Sequence, residues 1–378
     1  MASIRIVADE NIPGAAEMFS ALGEVRSVNG RTLTREQLLE ADVLLVRSVT
    51  AVNKALLEGT PVRFVATATI GIDHLDTAYL DANNIAWASA PGSNANSVVD
   101  YVISTFCRLD GVLEHVLSHG VVGIIGMGNV GSRLYQRLAT LGIECRAYDP
   151  LIDQSRYPIM TDLDAVLAAD VICMHTPLTT DGPFPSIHLL NQDRLNQLEF
   201  GAVIINAGRG GTLDNLALYN FLQKREDLCI VLDVWEAEPT INYELMKRVD
   251  IASPHIAGYS IDGKLAGAAM IYQACCQFLG VEVVAAPQPL DDLAIVVTEK
   301  HNVIEAMKEA VLACYDVAAD DQRLRGAMLH CAPDERGLGF DRLRKNYPQR
   351  REFSHCVISN RDQLDKAVLD GLTALGFR

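Results

Sequence analysis

The chain has little positive charge and few aromatic rings. Only 32 Lys and Arg stand against 48 Asp and Glu, a formal net charge of -16. Nucleic acid and anionic membrane surfaces are polyanions, so this deficit argues against both as general partners. No apolar run reaches the roughly 18 residues that a membrane span requires. The opening MASIRIVADEN has one arginine and then a short strand ending in acids, which is not the pattern of a signal peptide. No CxxC pair occurs among the 9 cysteines. Cys107, Cys145, Cys173, Cys229 and Cys314 sit among apolar neighbours, and the adjacent Cys275 and Cys276 cannot easily bridge each other. Buried free thiols and a reducing, cytoplasmic setting are therefore expected. No metal is expected either. His115 and His119 share a helical spacing, but HVLSH lacks the glutamate of HExxH and an evident third ligand. No GxSxG or Cys–His signature points to a nucleophilic hydrolase.

What is present is alternation. At 378 residues the chain is too long for one ordinary core. Over the first ninety residues, IRIVAD, VLLVRS, RFVATAT and IAWASA read as strands, with helical patterns between them. A second series follows at VVGIIG, ECRAYD, DVICMHT, AVIINA and CIVLDV. Such alternation predicts parallel α/β sheets. Two long apolar helices, SNANSVVDYVISTFCRL and GKLAGAAMIYQACCQFLG, flank the second series, and AAPQPLDDL reads as a linker. The remainder has fewer strands and more amphipathic helix.

VVGIIGMGNVGSRLYQRLATLG places Gly126, Gly128 and Gly131 in a GxGxxG pattern between an apolar strand and a helix, with Asp149 closing the next strand. Gly126 permits the tight turn, Gly128 lets a pyrophosphate approach the backbone, and Gly131 lets helix and strand pack closely. Met127, Asn129 and Val130 complete the loop, and the helix N-terminus offers N–H groups to phosphates. Asp149 would accept from ribose hydroxyls and repel a 2′-phosphate, so the expected cofactor is NAD. The motif lies beyond residue 120, which predicts a cofactor domain inserted within another α/β domain.

Four further motifs, HTPLT at 175–179, GAVIINAGRGGTLD at 201–214, LDVWEAEP at 232–239 and SPHIAG at 253–258, follow in order. With the glycine loop they make the chain resemble the D-isomer-specific 2-hydroxyacid dehydrogenases. The fold implied is α/β, with two Rossmann-like doubly wound parallel-sheet domains and a C-terminal α+β dimerisation domain. Residues 1–92 and 259–285 would form a discontinuous substrate-binding domain, 93–258 the NAD-binding domain, and 286–378 the dimerisation domain of a homodimer. The resemblance implies Arg209, Glu238 and His255 as the catalytic set. An imidazole titrates near working pH and can take the alcohol proton. Glu238 would orient the ring, and Arg209 offers a planar fork to the substrate carboxylate. Thr176 and Asp233 would face the nicotinamide half of NAD, with Ala207, Gly208 and Gly258 lining it.

Within that family, VRSVT at 46–50, ATATIGIDHLD at 66–76 and Tyr259 after the His-Ile-Ala-Gly run resemble the branch that oxidises a 4-phosphorylated 2-hydroxy acid. By position, Ser48, Thr69 and Tyr259 would contact this substrate. Residues 323–351 carry eight cations against three acids, which reads as a solvated basic face. A second reading has Arg344 or Arg350 reaching a neighbouring active site to hold the phosphate. The alternatives are a sister enzyme such as a phosphoglycerate dehydrogenase, or a non-catalytic NAD-sensing scaffold.

Overall fold

The computed structural model describes residues 3–284, 290–299 and 301–378. Residues 285–289 of the expected linker lie outside the described residues. The chain divides into two compact units, residues 1–94 with 260–291 and residues 95–259 with 292–378.

The first unit holds five parallel strands: β1 (Ile4–Asp9), β2 (Gly23–Val28), β3 (Val43–Val46), β4 (Phe64–Thr67) and β5 (Ala86–Ala88), in the order β2-β1-β3-β4-β5. β3 and β4 are buried along their whole length, as expected of strands covered on both faces. β2 escaped the sequence reading because GEVRSV is an edge strand with mostly exposed side chains. Its first residue must be small, since a Cβ on Gly23 would stand 2.1 Å from the Ile4 carbonyl oxygen. The helix Ile261–Leu279 covers one face, setting Tyr272 edge-on to Phe19 at 5.2 Å and Phe278 against Phe64 at 4.8 Å. Ser260 caps its start by accepting from the Gly263 amide at 2.8 Å, and Gly280 ends it in the left-handed region at φ 67.

The second unit is built on six parallel strands: β6 (Val121–Ile125), β7 (Glu144–Tyr148), β8 (Val171–Met174), β9 (Val203–Asn206), β10 (Cys229–Leu232) and β11 (Ile251–Ala252). Their order, β11-β10-β9-β8-β6-β7, reverses at β6, and ligands of such sheets bind beyond the strand ends at that reversal. A separate parallel pair, β12 (Leu293–Ile295) and β13 (Cys356–Ile358), belongs to the C-terminal residues. The helix Val303–Cys314 packs on the helix Ala95–Arg108 around Val102, Phe106, Met307 and Val311. All nine cysteines are free.

The expectation of a solvated basic face over 323–351 needs correction. Arg325 pairs with Asp321 at 2.7 Å and donates to the carbonyls of Met246 and Val249. Arg350 is 5% exposed, donates to the carbonyls of Ser97 and Ala257 at 2.9 and 2.6 Å, and stacks on the Tyr315 ring. It is a structural tie, so the alternative role of phosphate ligand is withdrawn for Arg350. Charged hydrogen bonds of this kind contribute roughly 1.5–3 kcal/mol each. Arg350→Met should therefore lower unfolding free energy by about 3 kcal/mol in urea titration. A loss below about 0.5 kcal/mol, the range of an ordinary surface substitution, would contradict this anchoring role.

Candidate active site

The glycine loop leaves β6 at Ile125, and Gly126 turns it at φ 93. A Cβ at Gly126 would meet the Thr176 methyl at 2.9 Å, and one at Gly131 would stand 2.0 Å from the Gly126 carbonyl oxygen. A Cβ at Gly128 would meet nothing within 4 Å. Two glycines thus serve packing, and the third leaves open space over the helix start. The helix Asn129–Thr140 begins at Gly128 without a side-chain cap, so its first N–H groups are available to an anion. Met127 is buried, Val130 half-buried and Asn129 exposed. Asp149, just after β7, accepts from the amides of Met127 and Leu151 at 2.9 and 3.0 Å. Thr176 Oγ1 is buried with no hydrogen-bond partner among the described residues. A Cβ on Gly208 would press on the Thr176 carbonyl at 2.9 Å, and Ala207 is half-buried beside it. An open glycine, an uncapped helix and an orphaned hydroxyl fit a dinucleotide.

His255 stands in the loop after β11, where its backbone takes φ 56, and Ala237 in the facing loop takes φ 57. Left-handed backbone at non-glycine residues persists only where surroundings enforce it. Asp233 provides that enforcement. It is 1% exposed, and its carboxylate accepts from the Ser253 hydroxyl at 2.7 Å and the amides of Ile256 and Ala257 at 2.8 and 2.9 Å. Its carbonyl accepts from the His255 amide at 2.7 Å. Tyr101 and Trp235 anchor Ser253 from behind, at 2.9 and 3.0 Å. Asp233, expected to face nicotinamide, is thus first of all the residue that shapes the histidine loop, a role the sequence reading missed. Gly258 is half-buried at the loop's end.

Glu238 Oε2 lies 2.7 Å from His255 Nδ1, and its other oxygen accepts from the Trp235 amide at 2.8 Å. Burial alone would raise this carboxyl. The charge and hydrogen bond of His255, with the Trp235 amide and Arg344, hold it below the usual carboxylate range. At neutral pH it is an anion that fixes the proton on Nδ1 and leaves Nε2 to face a reactant. Arg209 sits in the turn after β9, where its carbonyl accepts from Thr212 Oγ1 at 2.7 Å. The next residue, Gly210, packs so closely that a Cβ would lie 2.0 Å from the Trp235 carbonyl. The arginine turn and the glutamate loop are therefore neighbours.

His188, Asp214 and Glu236 form a group the sequence reading did not single out. His188 Nε2 lies 2.6 Å from Glu236 Oε1, while the other Glu236 oxygen accepts from the Asn215 amide at 2.9 Å. Asp214 caps a helix by accepting from the Ala217 amide. These bonds clamp the segment after HTPLT to the arginine turn. A cavity of about 660 Å³ opens beside Pro254, Asp320 and Tyr347, and its lining includes none of Arg209, Glu238 and His255.

Tyr259 packs edge-on to Tyr347 at 5.7 Å and lies under the Arg344 guanidinium. In the first unit, Ser48 is exposed two residues beyond β3, and Thr69 stands two residues beyond β4. The Thr69 hydroxyl donates to the Gly71 carbonyl at 3.0 Å and bonds Thr67 Oγ1 at 2.7 Å. Thr67 in turn bonds His74 Nε2 at 2.9 Å. Since Thr69 donates onward, Thr67 donates to Thr69 and accepts from His74, which fixes Nε2–H as the tautomer. The Thr69 hydroxyl proton is committed, so its backbone is what it can offer an anion.

Residues 104–257 match the family model described as the D-isomer specific 2-hydroxyacid dehydrogenase, NAD binding domain. The erythronate-4-phosphate dehydrogenase of Cellvibrio japonicus is 52% identical over 385 residues, covering 99% of this chain and 100% of the relative. That of Saccharophagus degradans is 46% identical, covering 94% of each. The chain belongs to the erythronate-4-phosphate dehydrogenase family. It is an NAD-dependent dehydrogenase of the 2-hydroxyacid type. Residues 289–376 match a second model, a domain of unknown function. The fold is shared with NAD-bound 3-phosphoglycerate dehydrogenase of Entamoeba histolytica, at a TM-score of 0.64 and 24% identity over 76% of this chain and 99% of that one. D-lactate dehydrogenase of Aquifex aeolicus with NAD and lactic acid gives 0.61 at 21%, over 73% of this chain and 95% of that one.

The glycine geometry separates two substitutions. Gly131→Ala should destabilise the protein by about 2 kcal/mol or more. Gly128→Ala should leave the melting temperature unchanged and weaken NAD binding by about tenfold, read by fluorescence titration, because a methyl group there fills the pyrophosphate's approach. Equal effects of the two on stability would contradict the assignment. In the first unit, burial pushes the His74 imidazole down to about 4, against the opposing charge of Asp73. The folded chain then refuses a proton that the unfolded chain accepts near 6.5. The contribution to stability is whole above that pH and falls as the pH drops toward 4, by up to about 3 kcal/mol. A ring-proton NMR titration of His74 should give a midpoint near 4, and one near 6.5 would contradict the buried, relay-bound ring.

Proposed function

We propose that this protein oxidises 4-phospho-D-erythronate to (R)-3-hydroxy-2-oxo-4-phosphooxybutanoate, a step of pyridoxal 5′-phosphate (vitamin B6) biosynthesis. The observation that carries this reading is full-length similarity, 52% identity over 99% of the chain, to an erythronate-4-phosphate dehydrogenase. Bound NAD supplies the acceptor for the hydride leaving C2. His255 Nε2 takes the hydroxyl proton, and Glu238 holds the ring and balances the imidazolium that forms. Arg209 clamps the carboxylate and stabilises the developing 2-oxo oxygen. Gly126 to Gly131, Asp149, Thr176, Ala207, Gly208 and Gly258 line the cofactor, with Asp233 behind them shaping the loop. Ser48, Thr69 and Tyr259 meet the substrate. Residues 286–378 form the dimerisation domain of a homodimer, beside a substrate domain at 1–92 with 259–285 and an NAD domain at 93–258. The nine free cysteines suit a reducing cytoplasm.

NADH formation from 4-phosphoerythronate should exceed that from 3-phosphoglycerate under the same conditions. His255→Asn should lower kcat/KM by about 1,000-fold and Glu238→Gln by about 100-fold, with NAD affinity retained. Undiminished turnover by His255→Asn would remove the proposed mechanism.

A further inference from the structure

The proposed function leaves the substrate phosphate without a cation of its own. We propose that Arg344 is that cation, so that the domain of unknown function at 289–376 completes the active site of its own chain. This rests on the substrate proposed above.

Arg344 lies on the helix Arg336–Lys345. Its guanidinium sits over the Tyr259 ring, 5.8 Å from the centroid, and bonds the Tyr259 side chain. Its charge is felt at Glu238, which is 2.7 Å from His255, so it belongs to the surroundings of the acid/base pair. Several neighbours from the same basic stretch have other places, Arg323 paired with Asp320 at 2.7 Å and Arg336 over the Tyr243 ring. Arg350 and Arg325 are tied to backbone carbonyls, and Arg342 and Lys345 are exposed. Arg344 is set apart by its place beside Tyr259 and Glu238. Its Nε is buried with no hydrogen-bond partner among the described residues, a feature it shares with the Nε of Arg336 and of Arg350. The surrounding groups that favour its charge are the Tyr259 phenol, Glu238 and Asp341. Glu238 is already committed to His255, and Asp341, one turn back on the same helix, is a neighbouring charge that favours the guanidinium.

A guanidinium is costly to bury unless its donors are met. An orphaned edge beside a catalytic pair is what an incoming anion satisfies. Guanidinium matches a phosphate bidentately, two N–H groups to two oxygens, and so prefers a dianion to a hydroxyl. With Arg209 assigned to the carboxylate, Arg344, whose charge reaches Glu238, is a cation placed for the other end of a short substrate. The Tyr259 hydroxyl, already bonded to Arg344, orients the fork. The same arrangement makes Arg344 a specificity-determining residue. Its contribution is present for a phosphorylated acid and absent for the same acid without phosphate.

The test compares wild type, Arg344→Met and Arg344→Lys on 4-phosphoerythronate and on erythronate, following NADH. Where erythronate turns over slowly, its competitive inhibition constant is used instead. Arg344→Met should raise KM for 4-phosphoerythronate by about 100-fold while changing the constant for erythronate less than about threefold, and Arg344→Lys should recover part of the loss. Melting temperature and NAD affinity of both variants serve as folding controls, and Arg344→Lys carries the test if Arg344→Met does not fold. An equal loss on both acids, or a shifted pH profile at unchanged KM, would overturn the proposal, since Arg344 would then act through Tyr259 and Glu238. Active wild type with unaltered discrimination in both variants would overturn this proposal alone. Wild type inert toward 4-phosphoerythronate would overturn the substrate assignment first, and this one with it.

Discussion

The site depends on one buried carboxylate. Asp233 collects three donors on its side chain and the His255 amide on its carbonyl, and all four come from residues 253–257. A buried anion without donors would be strongly destabilising, and with them it dictates the path of the chain. That path includes the left-handed backbone of His255, at φ 56, which a free loop would avoid. Glu238 can then meet Nδ1 at 2.7 Å because both loops are held before any ligand arrives. Preorganisation of this kind keeps the cost of orienting the acid/base pair out of the chemical step.

The buried carboxyls show how partners decide protonation. Asp100 is pushed up to about 7 by burial, although Arg137 and the Phe353 amide oppose the shift. Asp320 is raised too, by burial against the pull of Arg350 and two tyrosine hydroxyls. Glu238 is more open, half-buried where they are fully buried, and goes the other way, with His255 and the Trp235 amide favouring its charged form. Burial thus raises Asp100 and Asp320 against their partners, and the more open carboxyl beside His255 stays charged. The cysteines obey the same rule. Burial pushes Cys107, Cys145 and Cys275 up to about 12, so they remain thiols that pack as small apolar groups.

Most of the fold was legible because strands covered on both faces must be apolar throughout. VLLV and VICM announce themselves in this way. GEVRSV did not, since an edge strand buries little and its pairing is set by Gly23 beneath the Ile4 carbonyl. The acid/base pair and the glycine loop were legible as ordered motifs, each needing particular residue types at fixed spacing. Long-range partnership was not. Nothing in the spacing of Arg350 shows that it reaches carbonyls at Ser97 and Ala257, more than ninety residues away in each case. Nor does the sequence show that the Thr69 hydroxyl is committed to Gly71 within a relay that begins at His74.

One motif shows why residue type alone misleads. In GMGNVG, Gly126 and Gly131 answer to sterics within the protein, for their missing Cβ atoms would meet Thr176 and the Gly126 carbonyl. Gly128 answers to nothing in the protein, since no atom lies within 4 Å of its missing Cβ. A residue kept small where the fold itself would tolerate a side chain marks space held for something else. The same logic applies to charge. Arg350 is buried where the fold ties its Nη2 to two backbone carbonyls, whereas Arg344 is half-buried over the Tyr259 ring beside Glu238. Space the fold does not fill, and a cation held beside the acid/base pair, are what a ligand answers to.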